Sequence, residues 1–230
     1  MEQEIQAYYA DQKNSNKNWI IFVVIIIITA IVAGMIYWYL RPHLDVDPPS
    51  GVVTAAKKEL PSLLDSLIAD PSALKSYGFS NQQEIKEATL GNAYRNYAIL
   101  NDDISNYTSD TNFISVVKPT SWYFSVVYDN SIRVLLTIVP QGLSGWRVVG
   151  IGGNRLAVEL QNVEEKWPRS SGYDKAMLEV LQLHYIFIIV SKDNKYSLYP
   201  ITRFSGDSLK PELYDPVTIM QILKKDLLKK

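Results

Sequence analysis

The chain of 230 residues has no cysteine and only two histidines. Without cysteine it has no disulfide framework, no cysteine-based zinc site, no iron–sulfur cluster and no thiol nucleophile. Its formal net charge of −1 provides no overall positive field to attract nucleic acid. Hydrophobic residues nevertheless make up 47% of the chain, too many for a disordered protein. The composition therefore predicts a folded protein with neither a nucleic-acid partner nor a cofactor.

One long apolar run lies near the start of the chain. Residues 19–40, WIIFVVIIIITAIVAGMIYWYL, contain no charged side chain. A bilayer core about 30 Å thick needs roughly 20 apolar residues in a helix, a length that soluble cores rarely use without interruption. The run therefore predicts a transmembrane helix rather than a buried core helix. Its membrane-interface residues are the aromatic ones at its two ends, Trp19, Tyr37, Trp38 and Tyr39.

A cleaved signal peptide is the other interpretation of this run. The apolar core of a signal peptide usually has about 7–15 residues before a small-x-small site, whereas a cut after Ala33 would place Ile31 three residues before it. We therefore expect an uncleaved signal anchor in the plasma membrane, with the lipid bilayer as a partner. Ala30 and Gly34 form a small-xxx-small pair within it. Such a pair is either a helix-dimer face that permits a homodimer or a chance occurrence.

The orientation of the span rests on the layout of the chain more than on charge. Lys13 and Lys17 precede the span, and Arg41, Lys57 and Lys58 follow it, so the positive-inside rule gives a near tie. The first 18 residues are too few to fold alone, whereas all of the sequence that can form a domain follows the span. We predict a cytoplasmic tail over 1–18 and a domain outside the cytoplasm.

A proline-rich stalk and an α+β domain are predicted after the span. Residues 41–51, RPHLDVDPPSG, read as an extended spacer because their three prolines resist helix. Within the extracytoplasmic domain, 52–230, helices are predicted near Pro61, after Ser80, after Gly153 and from Pro216. Alternating apolar residues predict strands at Tyr94–Leu100, Trp122–Tyr128, Ser131–Val139, Trp146–Ile151, Leu183–Ser191 and Tyr196–Phe204. Hairpin turns are predicted at Asp129-Asn130 and at Lys192–Lys195. This order indicates N-terminal helices, a mostly antiparallel sheet and a C-terminal helix.

The C-terminal helix has two interpretations. Its apolar stripe and its lysines are typical of a helix that lies on an anionic membrane surface. We favour docking of the stripe on the sheet, with the lysines in solvent.

No motif in the sequence predicts catalysis or metal binding. His43 lies in the stalk, His184 is predicted in an apolar strand, and neither belongs to a metal-spaced set. The glycines of Gly150–Gly153 fit a tight turn between a strand and a helix better than a phosphate loop, because the nucleotide-binding spacings are absent. The acid pairs Asp102-Asp103 and Glu164-Glu165 are expected in solvent. No catalytic residue, cofactor-binding residue or metal ligand is therefore assigned.

The chain is rich in aromatic residues, with 15 tyrosines and five tryptophans. Five of them fall on predicted strands: Tyr94, Tyr97, Trp122, Tyr123 and Tyr128. On alternate strand positions such residues usually fill the core, and the other interpretation is a groove for sugars or peptide. The absence of a basic stripe between them argues against nucleic-acid stacking.

Two segments carry a resemblance to known proteins. The first contains Tyr77-Gly-Phe79, Glu84, Ala88–Gly91 and Tyr94, and the second contains Gly145–Gly152 and Leu156-Ala157. Together they resemble uncharacterised bacterial lipoproteins and membrane-anchored proteins with an extracytoplasmic α+β domain, over about half of the domain. The resemblance implies an extracytoplasmic role. The chain differs from the lipoproteins because it has no cysteine to carry the lipid.

Two functions fit these observations. The first is a non-catalytic, membrane-anchored binding or scaffold module whose partner is an envelope protein or polymer. The second is an anchored hydrolase that acts on envelope polymers. A concave site with convergent polar groups of shifted pKa would favour the hydrolase.

Overall fold

The computed structural model describes most of the chain after residue 43 and one residue before it. The described residues are Thr29, Leu44, 47–70, Ser72, 74–142, 145–201 and 209–229. The chain divides into two units, residues 1–43 and 44–230, and every element named below belongs to the second.

The predicted membrane span falls outside the described residues apart from Thr29, which is exposed and helical. The proposed interface and dimer residues fall outside them as well: Trp19, Ala30, Gly34, Tyr37, Trp38 and Tyr39. No helix within the described residues combines the length and the apolar character needed to cross a membrane. The anchor, its orientation and its dimer face therefore stay predictions.

The described part of the second unit contains six α-helices and seven strands. The helices are α1 (Ser50–Ile68), α2 (Gln82–Glu87), α3 (Asn101–Asn106), α4 (Phe113–Val116), α5 (Asn154–Lys166) and α6 (Pro216–Leu227). The strands are β1 (Thr89–Ile99), β2 (Val117–Tyr128), β3 (Ser131–Gln141), β4 (Gly145–Gly152), β5 (Asp174–Val180), β6 (Tyr185–Lys192) and β7 (Lys195–Pro200). Three short 3₁₀ turns complete the set, at Leu74–Tyr77, Arg169–Ser171 and Leu181–Leu183.

The strands form one sheet in the order β4-β3-β2-β1-β5-β6-β7. Every neighbouring pair is antiparallel except β1 and β5, which run parallel with Asn96 opposite Met177 and Ala98 opposite Glu179. The chain winds outward from this central pair in two directions, through β2, β3 and β4 on one side and through β6 and β7 on the other. The predicted α+β fold with a mostly antiparallel sheet is confirmed.

Helices cover both faces of the sheet, and side-chain alternation assigns each strand residue to one of them. The first, the α1 face, packs against α1 and α2 near β2 and β3, and against α3, α4 and α6 near β5 to β7. Arg95 links these two regions because its guanidinium carbon lies 5.2 Å from the Trp122 ring and 6.0 Å from the Tyr97 ring. The second, the α5 face, packs against α5 and includes Tyr94 and Met177.

The two predicted hairpin turns are confirmed. Asp129 and Asn130 join β2 to β3 with φ of 48° and 58°, and Asp193 and Asn194 join β6 to β7 with φ of 52° and 59°. Two successive residues with positive φ are the signature of a turn whose twist matches that of a hairpin, and Asp and Asn tolerate this conformation better than most residues.

The first helix begins two residues before the predicted end of the stalk and is longer than predicted. Ser50 and Gly51 belong to α1 rather than to the stalk, and Pro61 lies inside the helix rather than in its first turn. A proline in a helix interior removes one backbone hydrogen bond. Five residues at helical spacing bury against the sheet and outweigh this loss: Val52, Ala56, Leu60, Leu64 and Leu67.

The predicted strand pattern misses β5. The sequence pattern predicts no strand over Asp174–Val180, yet β5 is a central strand of the sheet, paired with β1 and β6. The predicted strand at Leu183 starts two residues later, at Tyr185, because Leu181–Leu183 forms a 3₁₀ turn. A local pattern does not reveal a parallel pairing between segments about 80 residues apart.

Helix α6 docks on the domain, which confirms the favoured interpretation of the C-terminal stripe. Ile219, Met220 and Leu223 are buried in the core of the α1 face. The phenol of Tyr185 donates a hydrogen bond to Asp226 Oδ2 at 2.9 Å and fastens the last turn of the helix to β6. The apolar stripe is therefore occupied within the domain.

A buried ionic cluster fastens α5 to the sheet. Glu164 accepts hydrogen bonds from Lys175 Nζ and Tyr94 Oη, both at 2.8 Å, and Arg169 Nε lies 3.4 Å from the same carboxylate. The Lys175 side chain has no exposed surface, and burial lowers its pKa although Glu164 opposes the shift. The expectation that Glu164 lies in solvent is therefore wrong, whereas Asp102 is exposed as expected and Asp103 is half-buried.

We expect Glu164→Gln to lower the free energy of unfolding by about 3–5 kcal/mol, because the variant leaves the buried Lys175 ammonium without its counter-ion. Adding Lys175→Met should recover most of the loss, since it removes the unpaired charge. Urea unfolding of the three chains measures these differences. Glu165→Gln is the matched control and should stay within about 0.5 kcal/mol, because Glu165 is exposed. Equal losses in the two glutamate variants would contradict the buried ion pair.

Candidate functional site

The central parallel pair marks the point where the chain path changes direction. The connection after β1 leads through α3 and α4 to β2, and the connection after β5 leads to β6 on the opposite side. In open sheets, ligands commonly bind outside the carboxyl ends of strands at such a point. A ligand-binding site is therefore expected at the carboxyl ends of β1 and β5.

Four polar residues converge there on the α5 face, and we call them the switch-point cluster: Asn96, Ser121, Tyr123 and Glu179. Tyr123 Oη donates a hydrogen bond to Glu179 Oε1 at 2.6 Å. Asn96 Nδ2 donates to the same oxygen at 3.0 Å and to Ser121 Oγ at 3.1 Å. The carboxylate is thus held through one oxygen by two donors from two different strands.

Strand register brings the cluster together. Asn96 lies opposite Ser121 in the antiparallel pair of β1 and β2, and the parallel register with β5 places Glu179 opposite Ala98. An irregularity in the β1–β2 register follows Asn96, where Thr120 Oγ1 donates to the Asn96 backbone oxygen at 3.2 Å. Such irregularities re-aim side chains and are frequent beside functional sites.

The negative charge of Glu179 has no cationic partner within the described part of the chain, whereas two other half-buried glutamates each have one. Glu84 lies 3.9 Å from Arg133, and Glu164 contacts Lys175 and Arg169. Both hydrogen bonds to Glu179 are accepted by Oε1, and no described donor reaches Oε2. The site therefore carries one uncompensated, half-buried carboxylate.

The cluster also contains a buried acceptor without a hydrogen bond. Asn96 is 3% exposed, and its Oδ1 has no partner among the described residues. Exchanging the amide O and N would place the oxygen against the Glu179 carboxylate, so the present orientation is the better one. A buried polar atom without a partner costs about 1–3 kcal/mol, and such atoms are uncommon. The amide therefore turns the positive end of its dipole toward Glu179 and helps to hold the carboxylate.

An open cavity of about 190 Å³ adjoins the cluster. It is lined by Glu179, Val180, Leu181, His184, Tyr185 and Ile186. Leu181 is 61% exposed, and Leu100 is 53% exposed in the equivalent position after β1. Two exposed leucines therefore lie at the ends of neighbouring strands, and one of them, Leu181, lines the cavity together with Glu179.

The structure contradicts the predicted position of His184. The prediction placed it inside an apolar strand, but it lies before β6, exposed, with φ of 58° at the end of the Leu181–Leu183 turn. A left-handed conformation ends a 3₁₀ turn and reverses the chain, which β5 needs in order to pair with β6. His184 is therefore a rim residue of the cavity and not a core residue.

The aromatic residues divide between the core and the site. Tyr94, Tyr97 and Trp122 are buried, so the core interpretation is confirmed for them. Tyr123 is half-buried and joins the switch-point cluster, and Tyr128 stacks beneath Arg133, whose guanidinium carbon is 5.5 Å from its ring. Of these five, only Tyr123 contributes to the candidate site.

A second cavity, of about 280 Å³, lies between α1 and α2. Its walls are mainly apolar, including Leu60, Leu64 and Ile85, and its polar residues Asp65 and Lys86 are exposed. No buried polar group without a hydrogen bond lies among its wall residues in the described part of the chain. The switch-point cluster is therefore the better candidate for specific recognition.

The described residues contain no group of three His, Asp or Glu side chains arranged to hold a metal ion. Comparison with known proteins gives no match to a family model, to the sequence of a curated protein or to a solved structure. The geometry of the site is therefore the basis on which a function is inferred.

Alkaline pH provides a test of the burial of two tyrosines, Tyr123 of the switch-point cluster and Tyr94 of the ionic cluster around Glu164. Burial, reinforced by the neighbouring carboxylates, raises the pKa of Tyr94 and of Tyr123 well above the ordinary tyrosine value of about 10. The folded chain keeps these protons where the unfolded chain releases them. We therefore expect the free energy of unfolding to fall above pH 10, by up to about 1.4 kcal/mol per pH unit for each tyrosine. Urea unfolding between pH 9 and 11 measures the slope.

Tyr123→Phe should reduce this alkaline slope, because one of the two shifted phenols is gone. At neutral pH the same variant should lose about 1.5–3 kcal/mol, the contribution of a hydrogen bond to a charged acceptor. Identical alkaline slopes in the wild-type chain and in the double variant Tyr94→Phe, Tyr123→Phe would contradict the raised pKa values.

Proposed function

We propose that the chain is a single-pass, membrane-anchored binding or scaffold module of the plasma membrane, with its domain outside the cytoplasm and an envelope protein as its partner. The observation that carries the proposal is the pair of exposed leucines, Leu100 and Leu181, beside the uncompensated carboxylate of Glu179. An apolar contact next to a buried polar group is the usual composition of a recognition surface.

The apolar run at 19–40 supports an anchor in the membrane. The folded domain that follows the run offers a surface for a partner. A fixed module needs no large movement to present its site, and the switch-point cluster is held by hydrogen bonds from three strands of one sheet. Sites on rigid elements keep their geometry better than sites on loops. A scaffold that positions a partner at the membrane surface requires this property.

The anchored hydrolase is the second candidate because Glu179 and His184 line the same cavity. A carboxylate and an imidazole are common general acid–base groups. The cluster holds Glu179 through Oε1 and offers no second carboxylate beside it among the described residues, whereas most glycoside hydrolases use two. The binding module is therefore the better supported of the two.

We expect the full chain to stay in the membrane fraction after a carbonate wash, because 22 apolar residues without a charge partition into the bilayer core. A periplasm-type reporter fused after Lys230 should be active outside the cytoplasm. Release of the chain by carbonate would contradict the anchor. Activity of a cytoplasmic reporter alone would reverse the orientation and leave the anchor in place.

A photo-crosslinking residue in place of Leu181 should give one adduct of defined mass in intact membranes, because this exposed position faces the partner in the proposal. The matched control is Val158 on α5, which is also apolar and 49% exposed but lies on the outer side of that helix. The adduct from position 181 should contain an envelope protein identified by mass spectrometry. Equal labelling from both positions, or no adduct at either, would contradict the binding site.

His184→Gln separates the two candidate functions. A general base typically contributes 10²–10⁴-fold to a rate, so an enzyme would lose nearly all of its cellular effect in this variant. The binding module predicts a small effect, because His184 lies on the rim of the cavity. Complete loss of phenotype with an unchanged melting temperature would favour the hydrolase.

A further inference from the structure

We propose that the cavity beside Glu179 receives the cationic end of a lysine or arginine side chain of the partner protein. This inference rests on the proposed function, since it names the chemical group that the binding module recognises. It combines three observations: a carboxylate without a cationic partner among the described residues, an open cavity, and an apolar wall.

The carboxylate is prepared to accept a cation. Tyr123 and Asn96 occupy Oε1 of Glu179 and fix the orientation of the group, and no described donor occupies Oε2. Lys118 pairs with Ala98 in the neighbouring β1–β2 register, but its ammonium lies 3.4 Å from the Ser115 backbone oxygen. No cation within the described part of the chain therefore pairs with Glu179, which leaves Oε2 open to a cationic ligand.

The Glu179 carboxylate makes the site selective for positive charge. It lines the cavity and is half-buried. Electrostatic interactions are stronger in such a partly dry environment than in water. An anion would be repelled by the carboxylate, whereas an ammonium or guanidinium group would be attracted by it.

The shape and lining of the cavity fit a side chain with an aliphatic stem. Its apolar wall is formed by Val180, Leu181 and Ile186, and its volume is about 190 Å³. Lysine and arginine place their methylene groups along apolar surface while the charged head reaches a polar partner. A calcium or magnesium ion would require several oxygen ligands at once, and the described residues supply no such set.

The test uses the full chain in non-ionic detergent with labelled isoleucine and leucine methyl groups. The probes are Nα-acetyl-lysine-N-methylamide and its arginine counterpart, and the matched probe is the norleucine compound, which has the same stem without the charge. We expect saturable shifts of the Ile186 and Leu181 methyl signals with the two cationic probes. The norleucine probe should bind at least tenfold more weakly.

Glu179→Gln should weaken the lysine probe at least tenfold, because it removes the charge while keeping an oxygen that accepts from Tyr123 and Asn96. The matched control is Asp193→Asn, which makes the same charge change in the exposed β6–β7 turn, where Asn tolerates the positive φ of 52°. This control should bind within twofold of the wild type. Unchanged methyl signals outside the cavity verify that both variants fold.

Three results would overturn the inference: equal binding of lysine and norleucine probes, equal binding by Glu179→Gln and the wild type, or no saturable shift with any probe. If Glu179→Gln does not fold, the comparison of lysine with norleucine on the wild-type chain decides alone. A crosslink from position 181 without lysine selectivity would reject the inference and keep the proposed function. Lysine selectivity without any crosslinked partner would reject the protein partner instead.

Discussion

The parallel pairing of β1 with β5 holds the domain together. It joins two antiparallel meanders, β1 to β4 and β5 to β7, which would otherwise each end in an unpaired strand edge. It also aligns the carboxyl ends of two strands, so that the segments after them leave the sheet on opposite sides. The cavity, the exposed leucines and the switch-point cluster all lie at this point. Fold and site therefore depend on the same ladder of hydrogen bonds.

Two carboxylates on the α5 face show how the domain separates stability from recognition. Glu164 is surrounded by a lysine, an arginine and a tyrosine, so its charge is neutralised inside the protein. Glu179 is fixed by two neutral donors and has no cation among the described residues. Glu164 contacts Lys175 of β5, and Glu179 lies four residues further along the same strand. The first fastens a helix, and the second is the group on which the proposed recognition rests.

Much of the fold follows from local sequence patterns. The hairpins at Asp129-Asn130 and Asp193-Asn194, helix α5 and the docked stripe of α6 all agree with the predicted elements, because turn residues and periodicity act over a few residues. The helical periodicity of α5 also indicates that Glu164 faces the sheet. This residue follows the buried Leu160 by four residues, a spacing that places both on one helix face, and only its charge argued for solvent.

The site was less accessible to prediction, because it depends on contacts between distant segments. Strand β5 carries Lys175, Met177 and Glu179 on one face. This alternation does not predict a half-buried strand, because two of the three residues are charged. Whether a charged strand residue faces solvent or a buried partner is decided by β1 and α5, which lie far away in sequence. His184 was misplaced for a related reason, since a 3₁₀ turn interrupts the apolar run that precedes β6.

The same central pairing has a consequence for synthesis of the chain. Strands β1 to β4 emerge first and can pair with one another, but the free edge of β1 must wait for Met177 and its neighbours, about 80 residues after Asn96. Contacts at such separation close slowly, because a long loop must be ordered before they form. During this interval a half-sheet with an exposed edge would be open to pairing with another chain. A chaperone that shields β1 until β5 arrives would therefore raise the yield of folded protein.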